Sequence, residues 1–433
     1  MTVTEQCIFY LASEKTFYRS IQRMTVTGII AEYNPFHNGH QYQIDWVRKE
    51  LKSDYIVVAM SGDYVQRGSP AILSKHTRAE MALLCGADLV LELPVQFSSA
   101  SAEGFSTGAV SLLDGTGVVT HLCFGSESGD TGRFLLTADL LNEEPAPYGT
   151  LLKKHLREGR SYPAARSLAL CEYADALHLP VTGREIAALL SSPNNILGIE
   201  YCRAIRRLKS NIAPVTLKRT GAGYHEQDLC RDSAPSATAI RSFLKQHSAF
   251  GLLSDKIPKE ALEILLSGVK ANAFVEEADL DLLLHYALLS SGDTYGEFLD
   301  ISPEIAARIK NRLNEYRGFV QFCDLLKTKE ITRTRIQRAL LHLLLGIRSA
   351  PQRVPYARVL GFRREALPLL NEIKKRGSLP LITKPTNASS LISPEASAFL
   401  EENTRASNIY ESILCHKSGK PFKHEYQKQL VIL

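Results

Sequence analysis

Two rhythms of apolar and polar positions alternate along the first half of the chain. Mostly apolar blocks at 28–32, 54–60, 87–93 and 121–124 have the length and β-branched content of strands buried on both faces. Between them the period becomes helical. From residue 41 onward Ile44, Val47 and Leu51 fall at i, i+3 and i+7, and one face is apolar. Lys75, His76 and Arg78 lead into a second helix through Met81, Leu83 and Leu84, which Gly86 ends. Pro94 stops the third strand, and a helix over 101–113 carries Gly104 and Gly108, which suit close packing. Strand, helix, strand, helix, strand, helix, strand predicts a parallel sheet with right-handed crossovers, an α/β fold. The loops at 34–40, 61–68, 94–98 and 125–127 then share its carboxyl edge, where such sheets bind ligands.

Residues 131–190 read as helical, an insertion in which Ser161-Tyr162-Pro163 opens one helix and 186–190 lies in another. Pro193-Asn194-Asn195 breaks that pattern, a fifth strand covers 214–218, and 236–241 enters a helix through Phe243 and Leu244. The expected organisation is a Rossmann-like nucleotide-binding domain over 24–245 and a mainly helical region over 246–433. Residues 1–23 stand apart. Met-Thr-Val-Thr opens the chain and is repeated from Met24, and the segment lacks the apolar core and cleavage site of a signal peptide. It reads as a loose extension or the product of an upstream start codon, with a targeting helix as the lesser alternative.

Charge changes this picture. Residues 301–433 hold 23 Lys and Arg against 11 Asp and Glu, a net +12, whereas 1–300 hold 28 against 35, a net −7. Within 333–376 there are 11 basic residues, with Glu365 and Glu372 as the acids. Such a run is often a solvated face, but its one-sidedness also suits nucleic acid. No apolar run is long enough to cross a membrane. The eight cysteines are scattered without a C-x-x-C, which fits free thiols in a reducing cytoplasm and indicates no zinc site.

The chemistry gathers where the first strand meets the first helix. His37 and His40 lie three apart around Gly39, as H-x-G-H, at a helix start. Free N–H groups and the positive dipole end favour phosphate there, and two imidazoles can donate to a triphosphate as charge builds on it. Capping and packing alone is the plainer alternative. Ser236, Thr238 and Arg241 at a second helix start offer another phosphate cradle, or Ser236 is an ordinary N-cap. Asn194 and Asn195 read as caps or as amides that meet a base or ribose. No Walker A pattern occurs, and Gly115-Thr-Gly117 has no weight as a dinucleotide fingerprint.

H-x-G-H early and S-x-T-x-I-R late, around a parallel sheet, resembles the HIGH-motif nucleotidyltransferase superfamily. E-Y-N-P-F-H-N-G-H at 32–40, Q-R-G at 66–68, G-A-D-L-V-L-E-L-P at 86–94, F-G-S-E at 124–127, P-N-N-I-L-G at 193–198 and G-Y-H at 223–225 narrow the resemblance to the tRNA(Met) cytidine acetate ligase family. It implies that ATP and acetate give acetyl-adenylate and pyrophosphate, and that the acetyl group passes to N4 of the wobble cytidine of elongator tRNA(Met). It also implies an ATP pocket of Ile30, Glu32, Tyr33, Asn34, Pro35, Phe36, His37, Asn38, Gly39, His40, Gly125, Asn195, Arg219, Thr220, Ser236, Thr238 and Arg241. His37 and His40 would be catalytic. Mg²⁺ would accompany the ATP, with no separate metal site, and Lys75 would hold a carboxylate or phosphate or stand as a surface charge. Arg333, Arg335, Arg338, Arg363, Arg364, Lys374 and Lys375 are the expected tRNA contacts, with Arg353, Arg358 and Arg376 in the same run. Tyr356 and Phe362 are candidates to receive the extruded base, burial being the commoner fate of such a Phe. A small-molecule adenylyl- or cytidylyltransferase shares the histidine site without needing the basic tail. A tRNA-binding protein with a purely structural ATP is the reading from another class.

Overall fold

The computed structural model describes residues 24–176, 181–219, 236–246 and 250–433. Thr220, the 223–225 motif and the expectations for 1–23 lie outside the described residues. The described residues form ten strands: β1 (Val26–Ala31), β2 (Tyr55–Ser61), β3 (Tyr64–Val65), β4 (Ser69–Pro70), β5 (Leu89–Leu93), β6 (His121–Ser126), β7 (Ala213–Lys218), β8 (Ala357–Phe362), β9 (Leu381–Ile382) and β10 (Val431–Ile432). Between them run α1 (Asn38–Lys49), α2 (Lys75–Leu84), α3 (Val95–Ser98) and α4 (Ala102–Gly115). The 131–190 insertion is α5 (Thr131–Glu143), α6 (Ala146–Arg157), α7 (Tyr162–Ala176) and α8 (Gly183–Leu190), followed by α9 (Pro193–Leu208). Then come α10 (Ala237–Gln246), α11 (Lys259–Lys270), α12 (Asp281–Ser291), α13 (Pro303–Arg312), α14 (Phe319–Leu326), α15 (Arg333–Leu345), α16 (Leu367–Arg376) and α17 (Pro394–Ser418).

The main sheet runs β10-β8-β5-β2-β1-β6-β7, with β9 beside β8. β1, β2, β5, β6 and β7 are mutually parallel, as the alternation of patterns predicts. Their order turns back at β1, with β2 and β5 on one side and β6 and β7 on the other. The gap between the carboxyl ends of β1 and β6 is therefore the switch point where a ligand cleft opens. Both faces of the sheet are covered. One core takes Val57, Leu91, Leu113, Phe124 and Ile199, and the other takes Ile29, Val58, Ile44 and Met81. Two-sided burial is the reason these strands are continuous apolar runs rather than alternating ones.

The described part of 246–433 is mainly helical, as expected, and also adds strands to the sheet. β8 pairs antiparallel with β5, Glu92 opposite Arg358 and Leu89 opposite Phe362, and β10 adds a further parallel strand beside β8. Helices α12 to α15 form a third core around Leu284, Ile305, Phe322 and Leu340. The direction of β8 matters for the basic run. Phe362 ends at the amino edge of the parallel strands, and Arg363 N–H donates to the Asp88 carbonyl at 2.9 Å. Arg363 and Arg364 thus emerge at the edge opposite the cleft. The carbonyl of Arg376, which ends α16, sits against Gly117 in the turn leading into β6. Lys374 and Lys375 immediately precede Arg376 in the last turn of α16, at that same edge.

Three expectations are corrected by burial. Lys75 is neither in the cleft nor on the surface. It is fully buried, its Nζ 2.7 Å from Glu92 and 3.0 Å from Glu425, and it donates to Ser407 Oγ at 2.7 Å. Arg358 is buried too, 2.9 Å from Glu92 and paired with Glu425. No RNA reaches it, because it closes a cluster between β5, β8 and the C-terminal chain. Tyr356 is fully buried beside that cluster and cannot receive a base, and Phe362 is core.

Candidate active site

Beyond Ala31 the chain must turn sharply to start α1. Tyr33 takes φ +46°, in the left-handed region that is uncommon for a bulky residue, and the Asn34–Pro35 bond is cis. Several contacts hold this turn. Asn34 Oδ1 accepts from Ile72 N–H at 2.7 Å, and Arg241 donates to the Asn34 carbonyl at 2.6 Å. The fully buried Arg78 gives its guanidinium to the carbonyls of Glu32, Gly62 and Leu73. It locks the loops after β1 and β2 together, a role its place at a helix start did not disclose.

The two histidines cap α1 reciprocally. His37 Nδ1 accepts from Gly39 N–H at 3.0 Å, and His40 Nδ1 accepts from His37 N–H at 3.3 Å. The rings stack with centroids 3.7 Å apart, and Tyr33 meets His40 edge-on. With each Nδ1 used as an acceptor, the neutral rings carry their protons on Nε2. The caps do not preclude ligand binding, since they use each Nδ1 and leave each Nε2–H outside the cap. Burial and the nearby Arg219 and Arg241 guanidinium groups push His37 down to about 3. Burial first, then His37 and Arg219, hold His40 well below the ordinary imidazole range.

The cleft over this joint has a volume of about 430 Å³. Ile30, Glu32, Tyr33, Asn34, His37, Gly39, His40, Gly125, Arg219, Ser236, Thr238 and Arg241 all line it, so residues more than 200 positions apart converge there. Ser236 Oγ accepts from Ala239 N–H at 3.1 Å, which makes it both a cap of α10 and a wall of the cleft. The other expected contacts stand back from it. Phe36 is core, and Pro35 is buried in the turn. Asn38 donates to the Asp255 carbonyl. Asn195 is buried and accepts from the backbone of Glu127 and Ser128 at 3.0 and 3.3 Å, shaping the loop after β6. Its neighbour Asn194 is the one on the wall.

Periodicity gave no warning of the remaining walls. Phe105, Phe124, Ile196, Leu197 and Tyr201 form an apolar side, drawn from α4, β6 and α9. Val65, Gln66, Arg67 and Ser69 come from the β3–β4 hairpin, whose polar, glycine-bearing loop at the sheet's carboxyl edge was the one available hint. Among the described residues no group of three or more His, Cys, Asp or Glu side chains converges to hold a metal ion.

The expected RNA contacts are divided. Arg335 is exposed on α15, whereas Arg333 lies 3.3 Å from Asp324 and Arg338 lies 3.2 Å from Asp300. α15 adjoins the cleft, because Gly68 of the hairpin packs on the Arg338 backbone. Arg363, Arg364, Lys374 and Lys375 occupy the far edge, so the basic run is two surfaces rather than one. Arg364, Lys374 and Lys375 are exposed there.

A switch-point cleft with paired histidines at a helix start defines a nucleotidyl transferase of the HIGH type. The family model described as HIGH Nucleotidyl Transferase matches residues 24–425. Within that class the chain belongs to the tRNA(Met) cytidine acetate ligase family. It is 38% identical to the tRNA(Met) cytidine acetate ligase of Clostridium acetobutylicum over 94% of this chain and all of that one. Against that of Acetivibrio thermocellus it is 36% identical, over 95% and 100%. The crystal structure of Thermotoga maritima TmcAL bound with alpha-thio ATP superposes with a TM-score of 0.86 at 31% identity, covering 95% of this chain and all of that one.

Proposed function

We propose that this protein uses ATP to join acetate to N4 of the wobble cytidine of elongator tRNA(Met), through acetyl-adenylate. The arrangement of His37 and His40 carries the reading. Acetate attack at the α-phosphate places charge on departing pyrophosphate, and donors fixed beforehand stabilise that charge more than they stabilise ground-state ATP. The two Nε2–H groups, the α1 amino terminus, Arg219 and Arg241 supply such donors. The apolar side around Phe124 and Tyr201 suits the adenine. Mg²⁺ bound with the ATP would add positive charge against the departing pyrophosphate. The substrate carboxylate is the nucleophile, so no protein nucleophile is required.

The relatives' names support tRNA(Met) and acetate, and the T. maritima structure supports ATP. On the RNA side, α15 with exposed Arg335 adjoins the cleft and is the surface assigned to tRNA, while the far-edge basic residues lie outside the path to the adenylate. Among the described residues no helix is long and apolar enough to cross a membrane. The test is incubation with ATP, acetate and tRNA(Met), followed by mass spectrometry of nucleosides. N4-acetylcytidine with release of AMP and pyrophosphate is expected. ATP turnover without acetylated RNA would favour a small-molecule transferase instead.

A further inference from the structure

The β3–β4 hairpin is the wall shared by the cleft and α15. Its tip is pinned on the cleft side, where Gln66 N–H donates to Glu32 Oε1 at 3.0 Å and Gln66 Nε2 donates to the Ala100 carbonyl at 3.2 Å. On its other side Gly68, at φ +79°, lies so close to α15 that an added Cβ would stand 2.6 Å from Arg338 N. α15 is held to the same corner by His342, whose Nε2 is 3.0 Å from Ser99 Oγ. Arg67, between the two pinned residues, is exposed and lines the mouth of the cleft. One turn before Arg338, Arg335 is exposed on α15.

A base that reacts in this cleft has to leave its stack, and its backbone phosphate then needs a cation at the mouth. Arg219 follows β7, across β1 from the hairpin, and Arg241 is tied to the turn after β1; both are assigned above to the triphosphate. Among the described residues that line the cleft, Arg67 is the hairpin's cation, on the side next to α15. We propose that Arg67 is a positioning residue for RNA, gripping the phosphate of the nucleotide that passes from α15 into the cleft. This rests on α15 being the RNA-bearing helix. A guanidinium forks two N–H bonds onto one phosphate, which a lysine matches only in charge.

The experiment compares Arg67→Ala, Arg67→Lys and Arg335→Ala in two assays. One is acetate-dependent ATP–pyrophosphate exchange without RNA, and the other is acetylation of tRNA(Met) at several salt concentrations. For Arg67→Ala, kcat/KM for tRNA is expected to fall roughly 10- to 100-fold, well beyond any loss in exchange. The slope of log affinity for RNA against log salt shrinks by about 0.7, and Arg67→Lys recovers part of the loss. Unchanged acetylation, or equal loss in both assays, overturns the proposal. Persisting exchange also shows that the variant is folded. If Arg335→Ala loses RNA affinity and Arg67→Ala does not, the hairpin proposal fails alone. Loss with Arg67→Ala but not with Arg335→Ala leaves Arg67 as an RNA contact but overturns the path from α15.

Discussion

At the scale of single residues, the paired histidines are set for charge yet carry none. Their folded pKa values lie below the 6.5 of a free imidazole, about 3 for His37, with burial as the first cause. They are therefore neutral above pH 6.5, and the stability linked to that neutrality is lost as the pH falls from 6.5 towards 3. In the free protein, the His37 and His40 ring signals should not titrate between pH 5 and 8 by NMR. A midpoint near 6.5 for either ring would contradict the buried, arginine-flanked site. His40→Ala should slow adenylate formation by about 10²- to 10³-fold in a single-turnover assay.

At the scale of elements, tight turns decide where charged groups end up. Gly117 takes φ +69°, and a Cβ there would run into the Arg376 carbonyl. This turn seats the end of α16 on the start of β6. Gly117→Ala should cost about 1–3 kcal/mol, seen as a lower Tm with adenylate formation intact below the transition. An unchanged Tm would mean that α16 is free of the turn. The strands of the front half were legible because burial on both faces writes an unbroken apolar run. β8 was not, since V-L-G-F amid arginines carries no sign of its direction, and direction alone sends Arg363 and Arg364 to the far edge.

At the scale of the whole molecule, a buried ionic cluster ties Glu425, near the end of the chain, to α2, β5 and β8. Lys75 is held charged by Glu425, Glu92 and Asp63 against its burial and the nearby Arg358. Burial opposes ionisation of Glu92 and Glu425, but Lys75 and Arg358 outweigh it and both carboxyls stay below the ordinary range. Depressed carboxylates stabilise above their unfolded pKa, near 4.5, and lose that contribution as pH falls below it. Lys75, raised, contributes below about 10.5 and loses it as pH rises further. Urea unfolding should therefore show a plateau between roughly pH 7 and 10, with stability falling on the acid side as the two histidines and then these carboxylates protonate. Glu425→Ala leaves two buried cations short of a partner and should cost about 3–5 kcal/mol. A loss below 1 kcal/mol would show that the cluster opens to water.

The sequence by itself determined the α/β core, the cleft edge and the paired-histidine joint. Those features follow from local rules, namely apolar runs between helical periods and a helix start with glycine between two imidazoles. Only tertiary structure decided that Lys75 and Arg358 are buried partners rather than ligand or RNA contacts, that Asn195 serves its loop, and that the hairpin stands between α15 and the cleft. Each depends on groups far apart in the chain, such as Glu92 with Glu425 or Gly68 with Arg338. A charged side chain reads the same in sequence whether water or a distant carboxylate neutralises it.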